Sequence, residues 1–346
     1  MAKLTSLQLG MVETWAFLRQ KRLCRADGRG SRSGMENTSW CNSERGKLYV
    51  TTQEDYVNAW DSFKLRWSST CRRLHAHPTG LHAEGGGASR PAKLIEGGGK
   101  TETQSILVTG GAGFIGTNLV NELQKRGHRV CVADVYHAER QDAIRADVRN
   151  YRQVEKLFDG REFDDVYHLA AEYGRRNGED YYENLWGTNV VGTKHILRMQ
   201  EKKRFRLIFF SSAEVYGDYP GAMNEDVMEK RPISETYQMN DYAISKWAGE
   251  LMCMNSAAAF GTEIVRVRPV NCYGPHEHYT PYRGFIPKFI YHALFDKPYE
   301  VYKGHRRIID YVADSCVTFA NIIDNFVPGE VYNVGGRPEW ERDIKE

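Results

Sequence analysis

The 346-residue sequence lacks any hydrophobic run long enough to span a bilayer, and its formal net charge is only +2. A transmembrane helix needs roughly 20 mostly apolar residues. A charge balance so close to neutral gives no general attraction to nucleic acid or to an anionic membrane surface. The sequence therefore predicts a chain with neither membrane nor nucleic acid as a partner.

The seven cysteines contain no Cys-X-X-Cys pair. Cys131, Cys253, Cys272 and Cys316 lie in apolar stretches, which indicates buried thiols in a reducing compartment in place of disulfides or a metal site. His75, His77 and His82 follow Cys71 without the spacing of a zinc finger. We therefore predict a cytoplasmic protein that binds no metal.

Residues 1–103 show little hydrophobic periodicity, carry more Lys and Arg than Asp and Glu, and end in the Gly-rich stretch AEGGGASRPAKLIEGGGK. Such a composition is typical of a flexible linker. We interpret 1–103 as a poorly ordered basic extension with a linker, and 104–346 as the folded domain.

From Ser105 onward, apolar runs rich in β-branched and aromatic residues alternate with helix-like stretches. The runs are SILVTGGAGFIG, HRVCVADVY, DDVYHLAAE, RLIFFSSAEVYG and TEIVRVRPVNCYGP. Strands that alternate with helices form parallel sheets covered on both faces. The predicted fold is therefore a doubly wound α/β domain of the Rossmann type.

A glycine-rich segment, TGGAGFIG, ends the first predicted strand and begins a helix. Gly110, Gly113 and Gly116 are spaced three apart, and this spacing suits a tight turn, the close approach of a pyrophosphate, and packing of the helix on the strand. A structural turn without a ligand is the alternative.

Asp134 ends the second predicted strand, 18 residues after Gly116. A carboxylate at this place accepts hydrogen bonds from the hydroxyls of an adenosine ribose and repels a 2′-phosphate, which favours NAD over NADP. A helix cap is the alternative role for Asp134.

The segment YAISK places Tyr242 and Lys246 four residues apart, on one face of a predicted helix. A lysine charge beside a phenol lowers the pKa of the phenol, and the tyrosine then serves as a general base. A surface pair is the alternative, which the order of the glycine loop, Asp134, SSAEVYG and YAISK disfavours.

In these motifs, residues 104 to the end resemble the extended short-chain dehydrogenase/reductases, NAD-dependent enzymes that act as epimerases and dehydratases on nucleotide sugars. The motifs are TGGAGFIG, ADVRN, HLAAE, TNVVGT, SSAEVYG, YAISK, RPVNCYGP, RRIIDYVAD and VYNVGG. The resemblance implies that NAD stays bound and that a transient 4-keto sugar forms.

The resemblance also implies the residue roles. The cofactor-binding residues are Gly110, Gly113, Phe114, Ile115, Gly116, Asp134, Asp147, Val148, Ala170, Tyr242 and Lys246. The catalytic residues are Ser212, Glu214, Tyr242 and Lys246. The substrate-binding residues are Glu172, Asn271 and Arg307, the last two at the diphosphate. The family further implies a homodimer.

Glu214 follows Ser212 by two residues, so an extended strand end would point both side chains to one side, where Glu214 could take a proton next to the ketone. The 4,6-dehydratases of the family carry Asp-Glu at this place, whereas this chain carries Ala213-Glu214. This difference disfavours an ordinary 4,6-dehydration and leaves base-assisted epimerisation and uronate decarboxylation open. A role of Glu214 in a salt bridge or helix start is the structural alternative.

The sequence ends soon after VYNVGG, where the family has further substrate-binding elements. We therefore expect a small substrate-binding part, from residue 271 onward, that is truncated at its C-terminal end, beside an NAD-binding core at 104–270. A catalytically weak protein that binds NAD or a nucleotide sugar is the alternative function.

Overall fold

The computed structural model describes residues 102–136, 141–231, 235–301, 304, 306–336 and 340–344. The predicted N-terminal extension lies, up to residue 101, outside the described residues. In the described part of the chain, no helix is both long and apolar enough to cross a membrane.

A seven-stranded parallel sheet forms the centre of the fold, in the order β3-β2-β1-β4-β5-β6-β10. Its strands are β1 (Ser105–Thr109), β2 (Arg129–Asp134), β3 (Ala143–Arg145), β4 (Asp165–His168), β5 (Arg206–Phe210), β6 (Ile264–Pro269) and β10 (Val331–Val334). The sheet grows outward from β1 in both directions, so the predicted doubly wound α/β fold is confirmed.

Helices pack on both faces of this sheet. The helices in chain order are α1 (Phe114–Lys125), α2 (Tyr151–Leu157), α3 (Arg175–Asp180), α4 (Tyr182–Trp186), α5 (Thr193–Lys203), α6 (Val227–Lys230), α7 (Asp241–Phe260), α8 (Phe285–Leu294) and α9 (Val312–Asn321). Of these, α1 and α9 contribute to the core on one face, and α2, α5 and α7 contribute to the core on the other. A π-helical turn, Gly187–Gly192, joins α4 to α5, and a 3₁₀ turn, Ala213–Tyr216, follows β5.

Alternate residues of each strand enter opposite cores. Ile208 of β5 packs with Phe319 of α9 on one face, whereas Leu207 packs with Ile196 of α5 on the other. Successive side chains of a strand point to opposite faces, so a sheet that is buried on both faces needs an unbroken apolar strand. This requirement explains the run RLIFF.

Two small sheets lie outside the main one. Strand β7 (Asn271–Tyr273) pairs in parallel with β9 (Ile309–Tyr311), and β8 (Arg306–Arg307) pairs antiparallel with β11 (Arg342–Asp343). They belong to the segment from residue 271 onward that the sequence assigns to the substrate.

Contacts divide the chain into two compact units. The larger unit comprises Thr101–Phe289 and Val301–Lys345 and contains all the strands described above. Of the smaller unit the structure describes Ile290–Glu300, where α8 ends and His292 Nδ1 lies 2.6 Å from the carbonyl oxygen of Pro298.

Candidate active site

The predicted site residues follow the carboxyl ends of the parallel strands. Parallel strands end at one edge of a sheet, so the topology brings these residues together. In chain order they are Gly110 after β1, Asp134 at the end of β2, Asp147 after β3, Ala170 after β4, Ser212 after β5 and Asn271 after β6. The switch point between β1 and β4 lies among them.

The glycine loop leaves no space for side chains. Gly110 has φ +72°, and a Cβ there would lie 2.7 Å from the backbone nitrogen of Ala170. A Cβ on Gly116 would lie 2.1 Å from the carbonyl oxygen of Gly110, and one on Gly113 would lie 3.2 Å from the same atom. Glycine is therefore required where the loop meets β4 and where α1 packs on the loop.

Helix α1 begins without a side-chain cap, because its N-cap residue is Gly113. The first amides of the helix, with the positive end of the helix dipole, are therefore available to a pyrophosphate. Asp134 is buried, and its carboxylate accepts from the backbone N–H of Ala112 at 3.0 Å and of Tyr136 at 3.1 Å. The loop and Asp134 together fit a dinucleotide, although Asp134 also fixes the loop itself.

Asp147 and Val148 lie between β3 and α2. The Arg149 guanidinium donates to Asp147 at 2.7 Å and holds the pKa of that carboxyl below its usual range. Val148 is buried, and its carbonyl oxygen lies 2.8 Å from His195 Nδ1. Arg149 therefore engages the carboxylate of Asp147, whose role in binding the cofactor remains a prediction.

Tyr242 and Lys246 lie one turn apart on α7, as predicted. The Nζ of Lys246 lies 5.9 Å from the ring centroid of Tyr242 and donates to the carbonyl oxygen of Phe210 at 2.8 Å. The predicted lowering of the Tyr242 pKa is wrong. Burial raises the pKa of Tyr242 to about 12, and a hydrogen bond with Ser212 offsets only part of this rise. Burial lowers the pKa of Lys246 to about 8.

Ser212, Glu214 and Tyr242 come together at the end of β5. Residues 213–216 form a 3₁₀ turn, so Ser212 and Glu214 are not on one side of an extended strand, as the sequence had predicted. The turn keeps them together, because the N–H of Glu214 donates to Ser212 Oγ at 3.2 Å. Glu214 is exposed. The negative charge of its carboxylate raises the pKa of the Tyr242 phenol.

Asn240 joins the turn to α7, a role that the sequence motifs did not indicate. Its Oδ1 caps α7 by accepting from the N–H of Ala243 at 2.9 Å, and its Nδ2 donates to Glu214 at 3.2 Å. The Asn that precedes DYAISK is a helix-cap signal, which could have revealed the first contact but not the second.

A buried polar network contacts the residues at both ends of this turn. Glu250 and Arg268, both fully buried, pair at 2.7 Å, and Ser211 donates to Glu250 at 2.5 Å. Arg268 also donates to the hydroxyl of Tyr216 at 2.8 Å, which in turn donates to Asn333 at 2.8 Å. One ion pair therefore holds the residues on both sides of Ser212–Val215.

Glu172 lies after β4, where its carboxylate accepts from Asn177 at 2.9 Å. Asn189 of the π-helical turn exchanges two hydrogen bonds with the backbone of Glu172, at 2.9 and 3.0 Å, and donates to Ser245 of α7 at 2.9 Å. Asn189 of the motif TNVVGT thus joins the loop after β4 to α7.

Asn271 and Arg307 are both exposed, and the small sheets bring their segments together. Asn271 pairs with Ile309, two residues after Arg307. Arg307 donates to the carbonyl oxygen of Arg306 at 2.9 Å. Their predicted contact with a diphosphate remains a prediction.

Comparison with known proteins agrees with this geometry. A model of the NAD dependent epimerase/dehydratase family matches residues 106–335. The chain is 35% identical over 253 residues to UDP-N-acetyl-alpha-D-glucosaminuronate decarboxylase of Bacillus cytotoxicus, covering 69% of this chain and 77% of that one. It is 30% identical over 264 residues to dTDP-glucose 4,6-dehydratase 1 of Escherichia coli, covering 68% and 72%.

Among solved structures, UDP-glucuronic acid 4-epimerase from Bacillus cereus, in complex with UDP-glucuronic acid and NAD, superposes with a TM-score of 0.60 at 27% identity. The match covers 70% of this chain and 80% of that chain. The chain described here belongs to the NAD-dependent epimerase/dehydratase family, and NAD is its cofactor.

Proposed function

We propose that the protein modifies a nucleotide sugar through a transient 4-keto intermediate, with Tyr242, Ser212, Lys246 and Glu214 as its catalytic residues. The observation that carries this proposal is the grouping of Ser212, Glu214 and Tyr242 at the end of β5, where Ser212 hydrogen-bonds with Tyr242 and Asn240 joins Glu214 to the start of α7. NAD, when bound, accepts a hydride from the sugar and returns it.

The proton steps fall to the side chains. Tyr242, in its ionised form, takes the proton of the hydroxyl at C4, and Ser212 donates a hydrogen bond to the same sugar oxygen. Lys246 holds a cofactor hydroxyl and adds positive charge beside the phenol. The ketone at C4 acidifies the C–H bond at C5, and Glu214, held by Asn240, takes that proton.

Two reaction classes fit this set. Return of the C5 proton from either face gives base-assisted epimerisation. In decarboxylation of a 4-keto uronate the bond from C5 to the carboxylate breaks instead, its electron pair forms an enolate with the C4 ketone, and Glu214 helps to protonate C5. Ala213 supplies no acid for the loss of a hydroxyl, so the residues favour these two classes over 4,6-dehydration. The 35% identity to a uronate decarboxylase supports decarboxylation as the second candidate.

Association of two copies is also proposed. Ile244, Leu251 and Met254 are exposed on α7, at spacings of seven and three residues that place them on one face of the helix. Such an apolar stripe suits a helical contact between two copies.

The experiment is to incubate the purified protein and NAD with a panel of nucleotide sugars and nucleotide-linked uronates, and to measure product masses. An unchanged mass with a changed stereocentre would identify an epimerase, and a loss of carbon dioxide would identify a decarboxylase. If no sugar is converted, and none exchanges a proton with solvent, the proposal of an enzyme is wrong.

A further inference from the structure

The segment after β3 packs against both ends of the π-helical turn Gly187–Gly192. A Cβ on Gly192 would lie 2.7 Å from Val148 Cγ2, and one on Gly187 would lie 3.2 Å from Arg149 Cδ. Glycine at the two ends of the turn therefore lets the side chains of Val148 and Arg149 approach its backbone closely.

Arg149 also joins the two segments by hydrogen bonds. Its Nε donates to both carboxylate oxygens of Asp147 at 3.0 Å, and its Nη2 donates to Asp147 Oδ2 at 2.7 Å. Its Nη1 donates to Asn184 Oδ1, on α4, at 2.6 Å. A guanidinium is planar and rigid, so a fork that is bound on two sides fixes the distance between its partners. Arg149 therefore holds α4, and the turn that follows it, at a set distance from Asp147.

The π-helical turn carries Asn189, which connects two parts of the candidate active site. Turns of this kind are rare and are frequent at functional sites. Asn189 is buried, exchanges two hydrogen bonds with the backbone of Glu172, and donates to Ser245 Oγ at 2.9 Å. Ser245 directly precedes Lys246 in α7. The position of the turn thus determines where Asn189 holds the helix that carries Lys246.

The side chain of Arg149 is 44% exposed. Its replacement would therefore leave no cavity in the core, and large losses of stability come from cavities and from buried groups that lose their partners. Arg149 contributes geometry more than stability, because its contacts join two surface segments, the residues after β3 and α4.

We propose that Arg149 is a positioning residue of the proposed reaction. It holds the π-helical turn so that Asn189 fixes α7, and with it Lys246, relative to the segment after β3 that is predicted to bind NAD. The effect on turnover rests on the proposed function, whereas the effect on the turn does not.

Hydrogen exchange of the protein without NAD tests the effect on the turn. The N–H of Glu172 donates to Asn189 Oδ1, so a displaced turn should open this bond more often. Arg149→Gln should speed exchange in the peptide that contains Glu172 by about three- to tenfold, the effect of one weakened hydrogen bond. Arg149→Lys, which keeps the charge without the fork, should do the same. Arg152→Gln, at an exposed arginine of α2, is the matched control and should leave the exchange unchanged.

Kinetics and cofactor affinity separate positioning from binding. With the substrate that the product masses identify, Arg149→Gln should lower kcat by about three- to tenfold, with KM within about twofold and the affinity for NAD within about threefold. Asn184→Ala removes the acceptor on α4 and should give a similar loss of kcat. The double variant should lose no more than either single variant, because the two residues act through one contact.

Unchanged exchange at Glu172 in Arg149→Gln would overturn the inference, and so would an unchanged kcat in that variant, wild-type behaviour of Arg149→Lys, or additive losses in the double variant. A fall in NAD affinity by about tenfold or more would also overturn it, since Arg149 would then be a ligand of the cofactor. If the wild type converts no nucleotide sugar, the proposed function fails, and the exchange experiment alone decides whether Arg149 holds the turn.

Discussion

At the scale of single residues, burial shifts the pKa values of Tyr242 and Lys246, the proposed catalytic pair. It raises the pKa of Tyr242 to about 12 and lowers that of Lys246 to about 8. Burial disfavours the charged form of either group, so the two pKa values move apart, that of the phenol upward and that of the ammonium downward. At neutral pH the phenol is therefore mostly protonated, and Tyr242 acts as a base only once it has lost that proton.

The hydroxyl of Tyr242 should be indispensable for turnover. Tyr242→Phe removes the general base and keeps the ring, so we expect kcat to fall by about 10²- to 10⁴-fold. The affinity for NAD, measured by calorimetry, should change by less than about threefold. Tyr237→Phe, at a tyrosine that is 69% exposed, is the control and should leave kcat unchanged. An active Tyr242→Phe variant would exclude Tyr242 as the base.

The sequence indicated Tyr242 and Lys246 by their spacing in YAISK, and Ser212 by the resemblance of its motif to the family. It did not indicate the contact of Asn240 with Glu214, since that contact joins residues of two different elements that are 26 positions apart. Nor did it give the pKa of Tyr242, because that value depends on burial by residues distant in the chain.

At the scale of elements, the buried Glu250–Arg268 pair holds the 3₁₀ turn after β5 through hydrogen bonds with Ser211 and Tyr216. The alternation of SSAEVYG suggested an extended strand end, and the local sequence contains no signal for the turn. Charged residues within β6 and α7 could equally have been exposed. Only the packing of α7 on the sheet shows that they form a buried pair.

The network should affect catalysis through the position of the turn. Tyr216→Phe removes the hydroxyl that joins Arg268 to Asn333, so we expect kcat to fall by about tenfold, with the affinity for NAD preserved. Tyr167→Phe is a matched control, because it removes a buried hydroxyl that donates to the backbone of Phe319 at 3.0 Å.

Tyr167→Phe should lose about 1 kcal/mol of unfolding free energy, the typical contribution of one hydrogen bond, and Tyr216→Phe, which removes two, should lose about 2 kcal/mol. Only Tyr216→Phe should lower kcat while leaving KM within about twofold. An equal loss of kcat in the two variants would show that the network acts through general stability alone.

At the scale of the whole molecule, the parallel sheet determines the location of the site. The parallel direction of its strands followed from the alternation of apolar runs with helices, since parallel strands that are buried on both faces require such runs. The small β7–β9 and β8–β11 sheets could not be predicted from the sequence, because strands of two or three residues contain too little pattern to identify.

Stability in acid should depend on His168, the last residue of β4, whose ring lies next to the start of α5. Its ring nitrogens lie 2.7 Å from Thr109 Oγ1 and 3.1 Å from Thr193 Oγ1, and burial, aided by the charge of Lys246, lowers its pKa to about 3. The folded state thus favours the neutral ring, so stability is complete above the unfolded-state pKa of about 6.5 and is lost as pH falls toward 3.

From this residue alone we expect a loss of about 2 kcal/mol in unfolding free energy between pH 7 and pH 5. Urea unfolding at the two pH values measures it. His168→Asn, which cannot gain a proton, should be less stable at pH 7 but lose less between the two values. Equal losses in the wild type and the variant would show that His168 is not the group responsible.

The most direct test of the account is solvent exchange at C5 by Glu214. The protein is incubated with NAD and UDP-glucuronic acid in deuterated water, and deuterium at C5 of the recovered sugar is measured by mass spectrometry for the wild type, Glu214→Gln and Asn240→Ala. We predict incorporation in the wild type, none in Glu214→Gln, and a reduced rate in Asn240→Ala, which keeps the base but removes its hydrogen bond. Undiminished incorporation in Glu214→Gln, or none in the wild type, would contradict the role of Glu214 as the base.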